Sequence, residues 1–257
     1  MLRPLLSIAL ALVLGFACLA QTPTGVIRLR VRVKVGESNK GLPRKRFFLI
    51  KGSLEQHKSL IEAIEEQALE TRDCFYKRAG ASQAFIQWLR ENDCESVYCR
   101  EIDSDDVEGP GAVPEFQQAL AVGEKEFGSR SLALKWLTVN LTEKIRDGFY
   151  RKRQEQLRRL IEQAEQSSGA AVLSVMGDRN GTAYFTDLEP GPYIISSLVP
   201  VEVGNQRVTW NCPMQVKAGD LATERPYLIS NRADRNVKCV GVEKPLPVCE
   251  LAPAALR

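Results

Sequence analysis

Apolar and polar positions alternate in the stretch "VIRLRVRVKV", residues 26–35. Ile27, Leu29, Val31, Val33 and Val35 take turns with Arg28, Arg30, Arg32 and Lys34. A period of two puts the aliphatic set on one face of a strand and all four cations on the other. "GESNKGLP" turns the chain, and "RKRFFLI" at 44–50 predicts a second strand, hence a first β-hairpin. From Ser53 the period lengthens. Leu54, Ile61, Ala68 and Phe75 recur at heptad spacing with Ile64 beside them, between a Ser53 N-cap and a stop at Gly80. Helices are also predicted at 82–92 and about 114–126, with the acidic loop "EIDSDDVEGPGAVP" between them. A stripe from Leu134 through Leu137, Leu141, Ile145, Phe149, Leu157, Leu160 and Ile161 to Ala164 predicts one helix from Ser131 to Gln166. It would measure about 54 Å at ~1.5 Å per residue, with Gly148 as a thin point. With the first helix it reads as an antiparallel hairpin projecting from the rest of the protein.

Short strands resume at "AAVLSVM", "GTAYFT", "PYIISSLV", "RVTWNCPMQVKAGD" and "ERPYLIS". Such spacing between turn signals indicates a sandwich or barrel. Asn180-Gly181 predicts a hairpin turn with both residues at positive φ. Pro190-Gly191 fits the centre of a type II turn. Tyr193 then enters the next strand, its ring buried and its hydroxyl on backbone.

The first twenty residues stand apart. Arg3, the apolar run "LLSIALALVLGFA" and the small residues of "CLA" before Gln21 predict a secretory signal over 1–20. Thirteen apolar residues are too few to span a bilayer, and no later stretch approaches eighteen, so no stable transmembrane segment is expected. Gly15 stands where a lipobox carries leucine, which disfavours lipoprotein anchoring at Cys18. Secretion or a periplasmic location permits disulfides among Cys74, Cys94 and Cys99 in mid-chain and Cys212, Cys239 and Cys249 near the end. With three in each group, full oxidation forces at least one bridge between the groups. Cys239 with Cys249 is the candidate local pair, with Cys212 an equal competitor.

Charge is nearly balanced at +3, or +2 once Arg3 leaves with the leader, but it is segregated. Residues 24–51 hold nine basic side chains against Glu37, and residues 91–126 hold eleven acidic ones against Arg100 and Lys125. Two partner surfaces, two solvated faces, or two blocks that face each other all fit this pattern.

The stretch "GDRNGTAYFTDLEPGPYIIS" resembles the Asp-x-x-Gly…Leu-x-Pro-Gly-x-Tyr signature of carboxypeptidase regulatory-like, prealbumin-like domains, through Asp178, Gly181, Phe185, Leu188, Pro190, Gly191 and Tyr193. The resemblance covers 26–51 and 170–231, under half of the chain. It implies an α+β protein: a seven-stranded Greek-key β-sandwich interrupted by a long helical-hairpin insertion. The order is then signal 1–20, first hairpin 21–52, insertion 53–169, remainder of the sandwich 170–231 and a cysteine-containing tail 232–257. Members of this family act as binding, spacer or assembly modules rather than catalysts.

His57 is the single histidine, too few for the zinc carboxypeptidase constellation or for Ser-His and Cys-His nucleophile systems. "DSDDVE" lacks the glycine and closing glutamate of an EF-hand. No cofactor or metal is implied. Three binding surfaces remain. Arg28, Arg30, Arg32 and Lys34 form a candidate anion-binding row, unless the helical insertion covers that face. Tyr184 and Trp210 are candidate sugar-stacking aromatics. The inserted helices, with Trp136, Leu137 and Leu141 in their stripe, could dock a protein. Export, and a basic row without interleaved aromatics, disfavour nucleic acid. The expectation is a non-catalytic secreted or periplasmic binding or assembly module whose insertion docks an envelope protein, or alternatively a binder of carbohydrate or anionic polymer.

Overall fold

The alternating stretch is strand β1 (Gly25–Val35) in the computed structural model, which describes residues 24–66, 70–219 and 225–249. The expected signal and Cys18 lie outside those residues. Ile27, Leu29, Val31 and Val33 are buried, whereas Arg28, Arg30 and Arg32 are half-exposed. β2 (Ser38–Gly41) folds back on β1, and β3 (Arg46–Lys51) follows. After the helices come β4 (Leu173–Met176), β5 (Thr182–Leu188) and β6 (Gly191–Ser196). Next are β7 (Val201–Val203), β8 (Gln206–Thr209), β9 (Asn211–Val216) and β10 (Tyr227–Ser230), then β11 (Cys239–Val240) and β12 (Val242–Pro245).

Among the described residues these twelve strands form three sheets, where the resemblance implied seven strands in a Greek key. One sheet runs β11-β10-β1-β2 with β5 also on β1, a second β4-β3-β6-β9, and a third β12-β8-β7. The first two share a core with Leu29, Val31, Phe47, Leu49, Phe185, Ile195, Cys212 and Ile229. Trp210 lies at its centre, edge-on to Phe47 at 5.8 Å between ring centroids. Within the tail, residues 239–245 join the sheets: β11 pairs with β10, and β12 with β8.

Both glycine turns carry the chain from one sheet to the other, so neither closes a hairpin. The first departs from the sequence expectation. Gly181 N–H donates to Asp178 O at 3.0 Å, which makes Arg179 and Asn180 the central pair. Of Asn180 and Gly181, only Gly181 has positive φ, at 72°. This is a reverse turn closed by a left-handed glycine, a geometry that demands φ > 0 at one residue rather than two. Asp178 Oδ1 accepts from the backbone of Asn180 and of Thr182, each at 2.8 Å. At the second turn Gly191 has φ 150°, far from the roughly +80° of a type II centre, so the type II geometry is not adopted. Asp187, ahead of the turn near the end of β5, is left-handed at φ 58°. Tyr193 behaves as expected, donating its hydroxyl to Glu189 O at 3.0 Å.

The helical segment is more broken than the apolar stripe suggests. It comprises α1 (Lys58–Glu66), α2 (Arg72–Arg78), α3 (Gln83–Glu91), α4 (Ser104–Val107), α5 (Pro114–Phe127), α6 (Arg130–Lys135), α7 (Glu143–Arg146) and α8 (Gly148–Ser168). The expected helix from 131 to 166 is therefore three helices and a 3₁₀ turn at Leu137–Asn140. Gly148 marks the last break; a Cβ there would lie 3.1 Å from Phe75. The helical-hairpin picture gives way to two packing groups. α1 and α8 lay Leu60, Ile64, Leu157, Leu160 and Ala164 on Phe48, Ile50 and Ile194, the outer face of the β3 sheet. α2 to α7 close around a separate core of Tyr76, Phe85, Trp88, Leu89, Phe116 and Leu137.

Three disulfides fasten the structure. Cys212–Cys239 joins β9 to β11 and so links the two large sheets. Cys74–Cys249 ties the tail to α2, the bridge between cysteine groups that oxidation required. Cys94–Cys99 clips the end of α3 to the 3₁₀ turn at Val97–Cys99. The expected Cys239–Cys249 pair is not formed, because β11 lies beside β9 while the chain beyond β12 crosses to α2.

Candidate functional site

Two surfaces stand out. The first is the outer face of β1. Arg28, Arg30 and Arg32 are successive outward positions, about 6.6–6.8 Å apart along the strand. Their cross-strand partners are Tyr184 and Thr182 on β5, Leu228 and Ser230 on β10, and Gly41 on β2, none of them charged. The Nε atoms of all three arginines are buried and hydrogen-bonded to nothing, and none of the three forms an ion pair among the described residues. Neighbouring guanidiniums at that spacing repel by about 0.6 kcal/mol in water and about 2.5 kcal/mol at an effective dielectric near 20. Nothing within the sheet offsets this. The carboxylate that feels Arg30 is Asp178, held below its ordinary value of 3.8 by the Thr182 and Asn180 amides first and by Arg30 least. Lys34, the fourth of the expected row, differs: its Nζ lies 3.9 Å from Glu37. α1 and α8 do not cover this face, since they pack on the other sheet.

The second surface lies on the helical segment. α5 and α6 pack as neighbours where Gly123 meets Ala133, a Cβ on Gly123 falling 3.0 Å from that methyl. Ala119, Leu120, Ala133, Leu137 and Leu141 are consumed by the helical core. Val122, Phe127, Leu132, Trp136 and Val139 are left between 37% and 57% exposed. Five of the thirteen large hydrophobic residues exposed among the described residues thus fall within one short stretch of sequence, 122–139. Sequence periodicity singled out Trp136 but grouped it with Leu137 and Leu141, which are buried.

The sugar-stacking pair is not assembled. Tyr184 is exposed, but Trp210 is fully buried and donates Nε1–H to Ser230 O at 2.9 Å. Gly241 makes room for its indole; a Cβ there would sit 2.7 Å from Nε1.

Most other conspicuous polar groups are structural. Asp106 accepts from Trp88 Nε1 at 2.7 Å, from Arg100 Nη2 at 2.5 Å and from Asp103 N–H at 3.0 Å, and Arg100 lies over the Trp88 ring at 4.8 Å. They line an open cleft with Glu91 and Asn92, yet Asp106 is satisfied within the protein. The acidic loop is thereby explained: Asp103 and Asp106 form the capping box of α4. His57 is fully buried, its Nε2 2.9 Å from Lys51 O and its Nδ1 2.8 Å from Ser167 Oγ. It therefore joins the two ends of the helical segment. Arg153 on α8 donates Nη2–H to Pro200 O at 2.5 Å, and burial pulls its pKa down. The acidic and basic blocks meet at Lys45–Asp93, at 3.0 Å. Elsewhere Arg130 and Arg100 neutralise members of the acidic block from within the helical segment.

Among the described residues no group of three His, Cys, Asp or Glu could hold a metal ion, and no helix is long and apolar enough to cross a membrane. Three disulfides are consistent with a secreted or extracellular protein. No protein-family description matches the sequence, and no curated protein does. Among solved structures, the pilus backbone RrgB from Streptococcus pneumoniae aligns with 75% of this chain and 35% of that chain, at 10% identity and a TM-score of 0.22. This chain spans about a third of that protein's length, and so low a score carries no argument about fold or function.

Proposed function

We propose that this protein is a non-catalytic extracellular assembly module: a β-sandwich related to carboxypeptidase regulatory-like domains, carrying a helical insertion that docks a protein partner. One observation carries the docking. Val122, Phe127, Leu132, Trp136 and Val139 stay in water on adjoining elements, although the same segment buries eighteen other apolar residues in its own core. Exposed apolar groups gathered in one region mark interaction surfaces, and tryptophan is among the residues most enriched at binding hot spots. Asp178, Gly181 and Tyr193, which fix the chain crossings between sheets, support the family resemblance. The buried aromatic Trp210 weighs against sugar stacking.

Crosslinking in the native envelope followed by mass spectrometry tests this reading, with the natural chain and a Leu132→Asp/Trp136→Asp variant in parallel. Both substituted residues are exposed, so the fold should survive. The expected result is a protein recovered with the natural chain and lost with the variant. Identical recovery from both would remove the docking role from this face.

A further inference from the structure

We infer that the outer face of β1 is a second, independent site, a strip that binds a flexible linear polyol-phosphate chain, a phosphodiester polymer without bases, through Arg28, Arg30 and Arg32. Four observations converge. The three guanidiniums share one face at a regular spacing of about 6.6–6.8 Å. Each Nε is tucked against the sheet with no acceptor, and the Nη atoms bond to no described residue, which leaves the outer edge of each guanidinium for a ligand. All five cross-strand partners are uncharged. Two cations nearby in sequence are engaged differently: Lys45 pairs with Asp93 at 3.0 Å and Lys51 with Glu189 at 2.5 Å. Arg28, Arg30 and Arg32 form no ion pair among the described residues, and Asp178 feels Arg30 only as the least of the influences on it.

Arginine meets oxyanions through a planar fork, and a row of forks suits a chain of repeated oxyanions better than a single ion. The chain's own flexibility decides between phosphate and carboxylate. A flexible polyol-phosphate chain can turn each successive phosphate toward the same strand face. A stiff 1,4-linked uronate chain presents alternate carboxylates to opposite sides and would leave the middle arginine unmatched. Tyr184, across from Arg28, offers a polar hydroxyl at one end of the strip.

Titration calorimetry on the full protein tests this with poly(glycerol phosphate), polygalacturonate, oligothymidylate and inorganic phosphate as probes. Poly(glycerol phosphate) should bind most tightly, with affinity falling as salt rises at a log–log slope of about −2 for three phosphates. Inorganic phosphate should bind far more weakly, because it engages one fork at a time. Arg28→Gln/Arg30→Gln/Arg32→Gln should lose at least about tenfold in affinity. A control that removes three exposed cations elsewhere, Lys58→Gln/Arg158→Gln/Arg159→Gln, should keep it. If the triple strand variant misfolds, Arg30→Lys retains the charge but not the fork and should still weaken binding measurably. Absence of polymer binding by the natural protein would overturn the inference. So would equal losses in both triple variants, or tighter binding of polygalacturonate or oligothymidylate.

Discussion

Gly181→Ala should be among the most damaging single-methyl additions in this protein. The residue holds φ at 72°, a left-handed conformation costing an L-residue about 1–2 kcal/mol. The added carbon would also stand 2.4 Å from Val31 O and 2.8 Å from Leu42 N. Those are backbone atoms that cannot rotate away. They are also tied in place, since Val31 N–H donates to Gly181 O at 2.8 Å and Leu42 N–H to Val31 O at 3.1 Å. Relieving the contact means opening both bonds, at about 1 kcal/mol each. The total comes to about 3–4 kcal/mol. Gly36→Ala is the matched control: φ is 57°, but nothing lies within 4 Å of its Cβ, so only the backbone term applies. Equilibrium urea unfolding without reductant, followed by tryptophan fluorescence, compares the two. The midpoint should drop about twice as far for Gly181→Ala as for Gly36→Ala. Equal drops would show that the turn does not pack tightly on β1 and β2, and would refute the reasoning.

Replacing Cys212 and Cys239 with alanine should destabilise by about 3.5 kcal/mol, against about 2 kcal/mol for the Cys94/Cys99 pair, because the closed loops span 27 and 5 residues. Thermal or urea unfolding reads the order, and a reversed order would contradict the loop-entropy account. Arg153→Met keeps the side chain's stem but removes its hydrogen bond to Pro200 O, and urea unfolding should show a loss of about 2 kcal/mol. Asp178 has a folded pKa below the ordinary 3.8, so its contribution is present above that value and is lost as pH falls through the lower folded pKa. Asp178→Asn should accordingly flatten the acid limb of stability against pH, and an unchanged limb would show that the turn does not depend on this charge.

Elements whose partners are local were legible in the sequence. β1 could be read because Ile27 to Val35 alternate without exception, and α3, expected at 82–92, forms at Gln83–Glu91 with Ser82 Oγ accepting from Phe85 N–H at 3.1 Å. Residues whose fate depends on distant chain were not. Trp210 is buried partly because Gly241, in the tail, leaves space for its ring. Trp136 is grouped with the apolar stripe by sequence, yet it faces water, as does Leu132, because α6 turns back on α5 at Gly123. The cysteine count forced a bridge between the two groups, realised as Cys74–Cys249, but could not show that β11 would lie beside β9. The arginine row was visible at once. That α1 and α8 leave it uncovered depends on their settling on the other sheet, which no local pattern encodes.

The bridge between Cys74 and Cys249 also sets how the fold carries mechanical tension. The segment from Cys239 to Cys249 is covalently anchored at both ends, to β9 and to α2. A pull arriving at Cys249 passes through sulfur into the helical segment and bypasses β11 and β12. Those two short strands, held otherwise by a few ladder hydrogen bonds, cannot be peeled away one bond at a time. The load goes first to α2 and its buried contacts with Phe149 and Phe85, where many weak interactions must yield together. Oxidised, the protein should behave as a tie that resists extension from this end, and reduction should turn the same residues into a strap that unzips.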